Sequence, residues 1–466
     1  MNIQKIIILL TIQTYFVYNT YMKQKRKGNK EVTMNKTNKD IIIVGFALFA
    51  MFFGAGNLLF PPFLGLITGN SWLNGFTGFI LADVGLSLLA ILAIAKCDGE
   101  VGKIFSRAGH KLSIALGCAI MICIGPLLAI PRTAATTFEM GIQPIFSGFN
   151  SIVFSIIFFG ATLLLTIKPS KVVDIIGSYL TPALLIALLV LIGMGIFNPL
   201  GEIQPSTIDG VFSEGVFQGY QTLDALGAVS LGAVIITSIA NKGYTKQKEQ
   251  VSMTFKAGLV AGAGLLVVYG GLTYLGATVS GLFESNVSQA GLIVSITEML
   301  LGFPGKVILG IIVMLACLTT AIGLTSATGQ YFSKLTNNKV KYETIVTVVC
   351  LFSLVVSNFG VDKIIQFSAP ILTFVYPPTI VLVVFTLFGE FIKNDNVFKF
   401  GTYAALFISI LNIISDFGVK IPLINNLPLY SLGFNWVVPV IIASVIGFFV
   451  KSSRSKLNSE SGEMTA

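Results

Sequence analysis

Long apolar runs, each of about the length that crosses a bilayer, alternate along this chain with short polar segments. Because about 20 apolar helical residues span a membrane core, the pattern predicts an all-α integral membrane protein with about twelve transmembrane helices. From the runs and their breakers, we place the helices at residues 41–67, 72–95, 112–130, 151–167, 172–197, 216–240, 251–279, 307–332, 342–356, 364–388, 398–414 and 436–450.

The N-terminal stretch, residues 1–33, has a different character. Its apolar segment is too short to span a membrane, and its basic residues follow that segment, unlike those of a signal peptide. Residues 30–33 reverse-translate to a purine-rich bacterial ribosome-binding sequence just before Met34. We therefore expect translation to start at Met34 and residues 1–33 to be a non-native leader. The alternative is a genuine amphipathic or disordered extension, which identification of Met1 as the mature N-terminus would support.

Composition restricts the classes of function. Apolar residues make up 54% of the chain and charged residues 11%, against roughly 25% charged residues in soluble domains. The one histidine excludes multi-histidine metal sites, and we find no hydrolase, zinc-protease or P-loop motif. The five cysteines lack C-x-x-C spacing and indicate buried thiols. We expect neither an enzyme nor a cofactor, and no nucleic-acid partner.

The positive charge carries an orientation signal, because cytoplasmic loops of membrane proteins are enriched in Lys and Arg. After Met34, seven alternate segments hold 20 of these residues, and the six segments between them hold 4. The four are Arg132, Lys306, Lys363 and Lys420. This alternation predicts that both termini, including a tail at residues 451–466, are cytoplasmic.

Helix parity is compatible with an inverted repeat, since helices one to five and six to ten would have opposite orientation. On this basis residues 34–450 form a single transmembrane domain. Its repeats cover about 41–197 and 216–388, and two extra helices cover about 398–450. Parity alone is weak support for this arrangement, and we see no sequence repeat that reinforces it.

The first helix contains two glycines, an asparagine and a double proline in the segment FFGAGNLLFPP, at residues 52–62. Such a concentration of breakers predicts an unwound segment within the membrane. Freed amides at Gly54, Ala55 and Gly56 would then receive a carboxylate at the start of the second half-helix, and carbonyls just upstream would hold a cation. A simple kink is the alternative interpretation.

The sixth helix contains the element that corresponds to the first-helix break. It is the segment GYQTLDALG at residues 219–227, and Asp224 is its most informative residue. An acid inside a span costs roughly 2.5–3.5 kcal/mol on insertion scales and usually serves function. Its candidate roles are to receive an ammonium group, to coordinate a cation or to carry a proton. The alternative is a solvated cap near the outer surface.

Other polar residues in the spans give weaker signals. Thr319 and Thr320, one turn after Ala316, suit a monovalent cation, although membrane threonines often bond back to their own helix. Asp83 in the second helix is an unusual residue within a span. Arg132 and Glu139 are interpreted as a surface pair at the outer end of the third helix.

Four segments carry a family resemblance, and the first and third are the most specific. They are FAMFFGAGNLLFPPFLG at 49–65, GPLLAIPRTAATTFEMG at 125–141, GYQTLDALGA at 219–228 and LGIIVMLACLTTAIGLTSA at 309–327. The chain resembles the branched-chain amino acid carriers of the BrnQ type, also called the LIVCS family, from about Met34 to Val450.

The resemblance implies a LeuT-like fold, with two inverted five-helix repeats, two C-terminal helices and broken first and sixth helices. It also implies cation-coupled symport of leucine, isoleucine and valine in a bacterial cytoplasmic membrane, with sodium or protons as the coupling ion. A carrier for another small solute and an ion channel are the alternatives. The expected partners are the substrate, the cation and lipid, with no obligatory protein partner.

The resemblance and the helix breaks together assign two sets of site residues. The carboxylate would lie on Gly54, Ala55 and Gly56, and Asn57 matches an asparagine near a second cation. The remaining substrate-site candidates are Phe53, Ile130, Tyr220, Leu223 and Asp224. The cation site would use the carbonyls of Ala50, Phe53 and Ala316 and the hydroxyls of Thr319 and Thr320.

Overall fold

The computed structural model describes residues 36–167, 171–419 and 421–450. The predicted leader, the start at Met34 and the tail at residues 451–466 lie outside this part of the chain. The chain divides into two units, Met1–Asp40 and Ile41–Ala466, and the architecture below is that of the second unit.

The described residues form helices and no β-strand. Helices α1 to α18 are, in order, Lys36–Phe52, Ala55–Thr68, Trp72–Ile80, Leu86–Lys96, Val101–Ser106, His110–Ile122, Ala129–Thr137, Ser151–Ile167, Lys171–Phe197, Val211–Gln221, Asp224–Asn241, Gln247–Thr278, Gln289–Leu335, Tyr342–Ser357, Val361–Leu387, Asp395–Asp416, Pro422–Asn425 and Val437–Phe449. Three π-helical segments, Leu81–Gly85, Cys123–Leu127 and Phe138–Ile142, join neighbouring helices, and Gly69–Ser71 and Tyr430–Leu432 are 3-10 turns.

Seven helical runs in the described part of the chain are long and apolar enough to cross a membrane, and four shorter apolar helices accompany them. Large apolar side chains on the outer faces are exposed, for example Leu164 at 72% and Phe448 at 64%. Lipid is the environment in which such faces are stable. The prediction of an all-α membrane protein is confirmed, and the count of twelve crossings stays a prediction.

The first and sixth helices are both interrupted, as predicted. In the first helix, α1 ends at Phe52 and α2 begins at Ala55. In the sixth, α10 ends at Gln221 and α11 begins at Asp224. Each interruption is two residues long.

The third helical run is longer than predicted and extends over His110–Ile142. The prediction ended this helix at residue 130, just before Pro131. Pro131 instead lies in the first turn of α7, where a proline removes no helical hydrogen bond. Arg132 and Glu139 therefore lie within the run, and the prediction of a surface pair is wrong for Arg132, which is 4% exposed.

Helix α13 also begins earlier than predicted. It starts at Gln289 and bends at Gly302, which has a positive φ of 65° just before Pro304. The prediction started this helix at residue 307, after the Gly-Phe-Pro-Gly sequence at residues 302–305. Residues 289–301 thus form a helical arm ahead of the bend.

Two pairs of glycines bring helices into backbone contact around the breaks. A Cβ added to Gly276 of α12 would strike the carbonyl of Pro62 in α2, and one added to Gly65 would strike that of Thr273. A Cβ added to Gly78 of α3 or to Gly215 of α10 would likewise strike backbone atoms of the opposite helix. Small residues at such crossings let membrane helices approach closely, and here they fix α2 and α10 beside their neighbours.

Candidate functional site

The break in the first helix lies at Phe53 and Gly54. Gly54 is extended, with φ −121° and ψ −168°, and its amide donates to Asn57 Oδ1 at 3.0 Å. The first N–H groups of a helix have no acceptor within that helix. The amides of Ala55 and Gly56, ahead of Asn57, are therefore the groups at this half-helix start that are suited to an anion.

The break in the sixth helix depends on Leu223, which has a left-handed φ of 70°. This conformation is rare for a residue with a side chain. The left-handed conformation of Leu223 exposes the carbonyls at the end of α10, and the guanidinium of Arg132 donates hydrogen bonds to them. Nη1 of Arg132 donates to the carbonyl of Gln221 at 2.5 Å, and Nη2 donates to that of Thr222 at 3.0 Å. A buried guanidinium thus balances the negative end of a half-helix.

Asn57 connects the two breaks directly. Its Nδ2 donates to Asp224 Oδ2 at 2.8 Å and to the hydroxyl of Tyr269 at 2.5 Å. With Oδ1 held by the amide of Gly54, the Asn57 side chain has partners on both breaks and on α12. Asn57 is completely buried, so these bonds fix the start of α2 against the start of α11.

Asp83 adds a second carboxyl group to the sixth-helix break. The Thr222 hydroxyl lies 2.6 Å from Asp83 Oδ1 and accepts a hydrogen bond from the amide of Asp224 at 3.3 Å. On the other side of the break, the hydroxyl of Ser368 donates to Gln221 Oε1. The sixth helix is therefore held by polar contacts from the second, third and tenth helices.

A cavity of about 50 Å³ lies between the two breaks. Six of the predicted substrate residues line it, namely Gly54, Ala55, Gly56, Asn57, Leu223 and Asp224. Arg132, Thr133 and Thr222 provide further polar groups. The structure thus collects residues from widely separated parts of the sequence around one small space.

Three predicted substrate residues lie elsewhere. Phe53 and Ile130 do not line this cavity. The ring of Phe53 stacks on Phe49 at 5.6 Å and on Tyr269 at 6.0 Å between ring centroids, and Ile130 is fully buried. Tyr220 stacks on Tyr376 at 4.3 Å and lines a separate cleft beside α16.

The predicted cation residues are partly brought together. Thr320 lines the cavity beside Met51, at the end of α1. The hydroxyls of Thr319 and Thr320 each donate to the carbonyl of Ala316 at 2.9 Å. Donation of these protons leaves the oxygen lone pairs of both hydroxyls available to a cation.

The break also changes the environment of the carbonyl of Ala50. In a continuous helix the amide of Gly54 would donate to it, but that amide donates to Asn57 Oδ1 instead. The Ala50 carbonyl is thereby released from its usual helical partner, as a cation ligand at this position requires.

Sequence reasoning missed the role of Arg132. The available signal was a single basic residue within the apolar run GPLLAIPRTAATT, since such residues usually face a protein interior and serve function. The position of Tyr269 had no comparable signal, because a tyrosine in a membrane helix fits many environments.

Comparison with known proteins identifies the family. Residues 37–454 match the family model described as branched-chain amino acid transport protein. This chain belongs to that family. It is 39% identical over 428 residues to the branched-chain amino acid permease BraB of Bacillus subtilis, covering 88% of this chain and 95% of the permease. It is 37% identical over 417 residues to the branched-chain amino acid transport system 2 carrier protein of Pseudomonas aeruginosa, covering 87% and 95%.

Solved structures with the same fold are more distant in sequence. Mhp1 in its inward-facing conformation gives a TM-score of 0.60 at 10% identity, covering 88% of this chain and 90% of Mhp1. A Na⁺-coupled sialic acid symporter gives 0.59 at 13% identity, covering 87% and 88%. MhsT in complex with L-phenylalanine gives 0.52 at 16% identity, covering 91% and 100%.

These similarities confirm the LeuT-like fold of this member of the branched-chain amino acid transport family. The protein is a multi-pass membrane transporter and not an enzyme.

Proposed function

We propose that this transporter is a cation-coupled symporter that imports leucine, isoleucine and valine across the bacterial cytoplasmic membrane by alternating access. The observation that carries the proposal is the shared cavity, which is lined by residues of both broken helices. Helix breaks near the middle of a membrane protein are typical substrate and ion sites of secondary transporters. The named activities of the relatives supply the substrate class.

The carboxylate of the substrate would bind at the start of α2. The amides of Ala55 and Gly56 are at the positive end of that half-helix, where anions are stabilised. Arg132 lies beside them, because a Cβ added to Gly56 would be 2.9 Å from Arg132 Nη2. Two backbone donors and one guanidinium thus form the anionic end of the proposed site.

The ammonium group of the substrate would bind on the opposite side, at Asp224 and the sixth-helix break. Asp224 lines the cavity, and its carboxyl accepts one hydrogen bond, from Asn57, at 2.8 Å. The carboxylate and ammonium ends of an amino acid would therefore be held by different half-helices. Such a substrate would link the first helix to the sixth.

The remaining wall of the cavity is aliphatic, and suits a branched side chain. Met51, Ile124, Ala129, Leu231 and Leu324 line it. These residues offer no hydrogen-bonding group, so a polar side chain entering this wall would lose its hydrogen bonds to water. We expect leucine, isoleucine and valine to be preferred over serine or threonine for this reason.

Sodium is the coupling ion that the threonine and carbonyl geometry supports. The Ala50 carbonyl, released by the break, and the hydroxyls of Thr319 and Thr320 are uncharged oxygen ligands of the kind that hard cations take. The carbonyls of Phe53 and Ala316 complete the proposed set. Ala316 already accepts from both threonines, so its carbonyl is the least available of these ligands.

The volume of the cavity bears on the transport cycle. About 50 Å³ is far below the roughly 300–1,000 Å³ of typical ligand pockets. The helices around the breaks must therefore separate to admit an amino acid. We infer that the structure shows a contracted form of the site and that rocking of the helices opens it alternately to each side.

Leucine uptake by the purified protein in proteoliposomes tests the proposal. We expect saturable accumulation of radiolabelled leucine that depends on an inward sodium gradient and is inhibited by isoleucine and valine. Thr320→Val should raise the sodium concentration required for half-maximal uptake. Its control is Thr347→Val, at a half-buried position of α14 where the hydroxyl likewise donates to a carbonyl of its own helix. Leucine uptake that neither depends on the sodium gradient nor is inhibited by isoleucine and valine would contradict the proposal.

The same assay addresses the two alternatives. A carrier for another small solute would accumulate that solute and not leucine. An ion channel would dissipate the gradient without accumulating anything, and would need a continuous polar pore. Polar groups of the described residues cluster at the helix breaks around a small cavity, which favours a carrier.

A further inference from the structure

A cleft that shares no residue with the substrate cavity lies beside α10. Its volume is about 190 Å³, and a cavity of about 150 Å³ is enough to hold benzene. One face of α10 forms a wall, with side chains three or four residues apart at Ser213, Val216, Phe217 and Tyr220. Residues of α15, the last turn of α16 and the segment at residues 424–436 form the rest.

Two contacts hold the walls of the cleft in place. The side-chain amides of Asn412 in α16 and Asn435 bond to each other in both directions, at 2.7 Å and 3.2 Å. On the other side, the ring of Tyr220 stacks on that of Tyr376 in α15, with 4.3 Å between ring centroids. The cleft is therefore built from fixed parts, which lowers the entropic cost of binding a ligand.

The charge of the cleft favours a cation. Asp416 lines it at an exposed position, and its carboxylate has no hydrogen bond or ion pair with the described residues. The aromatic rings of Phe217, Tyr430 and Trp436 line it as well, and aromatic faces attract ammonium groups. No lysine, arginine or histidine is among the described lining residues, so an anion would have no charged partner there.

The buried end of the cleft offers a single hydroxyl group. Tyr220 is 7% exposed, and its hydroxyl has no hydrogen-bond partner among the described residues. Buried polar groups in proteins are nearly always hydrogen-bonded. A ligand with a polar group at the end away from Asp416 would provide that partner.

We propose that this cleft binds a small organic monocation, an amine with an apolar body and one hydrogen-bonding group at its far end. The ammonium group binds at Asp416, the body lies against Phe217 and Trp436, and the far group pairs with the hydroxyl of Tyr220. Tyramine has these three parts and serves as the probe.

The position of the cleft connects it to transport. Tyr220 belongs to the half-helix that ends at the sixth-helix break, and its carbonyl accepts the amide of Leu223 at 3.1 Å. Resting on the proposed function, an occupant between α10 and α16 opposes movement of the sixth helix. It therefore slows leucine transport without entering the substrate cavity.

Tryptophan fluorescence tests the site without relying on transport. The chain has two tryptophans, so the Trp72→Phe protein retains Trp436 as a reporter in the wall of the cleft. Tyramine should change its emission saturably, whereas 3-(4-hydroxyphenyl)propionate, which has the same body and a carboxylate, should not. An equal response to both compounds would overturn the proposal, as would no response to tyramine.

Variants in this background locate the two ends of the ligand. Asp416→Asn should weaken tyramine binding about 5-fold, the size expected for a partly exposed ion pair. Asp209→Asn, an acid at an exposed loop position outside the cleft, is the control and should bind tyramine as before. Equal affinity in these two variants would contradict an ammonium site at Asp416.

Tyr220→Phe tests the buried end and serves if Asp416→Asn fails to fold. With Tyr220 present, tyramine should bind more tightly than 2-phenylethylamine, which lacks the far hydroxyl. In Tyr220→Phe the two amines should bind equally, because the partner of that hydroxyl is gone. A preference for tyramine that survives the change would count against the assigned orientation.

Leucine uptake in proteoliposomes tests the link to transport. Tyramine should lower the maximal rate of uptake and leave the KM for leucine unchanged, and Asp416→Asn should require more tyramine for the same effect. Inhibition that only raises KM would place the amine in the substrate cavity and overturn the proposal. Tyramine binding with undiminished uptake would overturn the link alone. A fluorescence response in a protein that takes up no leucine would uphold the cleft and contradict the transport proposal.

Discussion

At the scale of single residues, the proposed substrate site depends on a few buried polar side chains that connect distant segments. Asn57 and Arg132 each satisfy backbone or side-chain groups on the sixth helix. Hydrogen bonds to charged groups contribute about 1.5–3 kcal/mol each, and leaving their partners unsatisfied is costly. Small changes at these positions should therefore have large effects on transport and modest effects on membrane insertion.

Arg132→Lys is expected to reduce leucine uptake at least 10-fold. A lysine keeps the charge, but its single head group does not reproduce the fork that holds the carbonyls of Gln221 and Thr222. Loss of one such bond, about 1.5–3 kcal/mol, accounts for an effect of this size. Initial rates of radiolabelled leucine uptake provide the measurement.

Arg107→Lys is the matched control for this prediction. Arg107 pairs with Asp395 at 2.6 Å, away from the cavity. This change should lower thermal stability slightly and leave the KM for leucine unchanged. Equal loss of uptake in both lysine variants would indicate a general structural role for Arg132 in place of one at the site.

Gly56→Ala is expected to abolish most leucine uptake while the protein still inserts and purifies. The added Cβ would lie 2.9 Å from Arg132 Nη2 and 2.9 Å from a ring carbon of Phe60, so the guanidinium must move. Gly323→Ala is the control, because nothing lies within 4 Å of its added Cβ. Uptake by Gly56→Ala equal to that by Gly323→Ala would argue against a site at the start of α2.

At the scale of elements, each half-helix is held in place by close backbone contact and by polar groups at the break. The glycine pair Gly65 and Gly276 allows α2 and α12 to touch. Leu223, with its left-handed φ, terminates α10 and permits α11 to start at Asp224. The breakers in the sequence predicted where the helices stop, and packing against α12 determines where the second half of the first helix lies.

Gly276→Ala is expected to lower the thermal stability of the purified protein. Overpacking in a well-packed interior typically costs about 1–3 kcal/mol, and here the obstacle is the backbone carbonyl of Pro62. Thermal unfolding in detergent, followed by size-exclusion chromatography, measures the effect.

Gly193→Ala in α9 is the paired control, since nothing lies within 4 Å of its added Cβ. Alanine is favoured over glycine in a helix interior by roughly 0.5–1 kcal/mol, so this variant should unfold at the same temperature as wild type or slightly higher. A Gly276→Ala protein that matches it would show that the contact between α2 and α12 tolerates a methyl group.

At the scale of the whole molecule, the charge distribution predicts the orientation of the transporter in the membrane. Arg132, one of the four basic residues first assigned to outer segments, is buried and bonded to the sixth helix. Removing Arg132 from that set strengthens the contrast in the number of basic residues between the predicted cytoplasmic segments and the predicted outer segments. Both termini at the cytoplasm remain a prediction that follows from this contrast.

Cysteine labelling checks the orientation. Ser285→Cys, between α12 and α13, should react with a membrane-impermeant thiol reagent in intact cells. Lys339→Cys, between α13 and α14, should react only after permeabilisation, because its segment is predicted to be cytoplasmic. Both positions are exposed. The wild-type protein, with four of its five cysteines buried, gives the background, and the reverse pattern would invert the assigned topology.

The sequence by itself determined the membrane class, the family and the positions of both helix breaks. These features depend on local properties: the length of apolar runs, the concentration of glycine and proline near residue 56, and an acid at residue 224. Each can be recognised without knowing which segments touch, because hydrophobicity and backbone breakers act within one span. The candidates Gly54 to Asn57, Leu223 and Asp224 were found in this way.

Only the tertiary structure decided which residues meet across the breaks. Arg132 reaches a carbonyl 89 residues away, and Asn57 bonds to a carboxyl 167 residues away. The tertiary structure also placed Phe53, Ile130 and Tyr220 outside the cavity, and Asp83 beside Thr222. The physical reason is that a buried polar group must find its partner in three dimensions, and no spacing along the chain specifies which helix face will supply it.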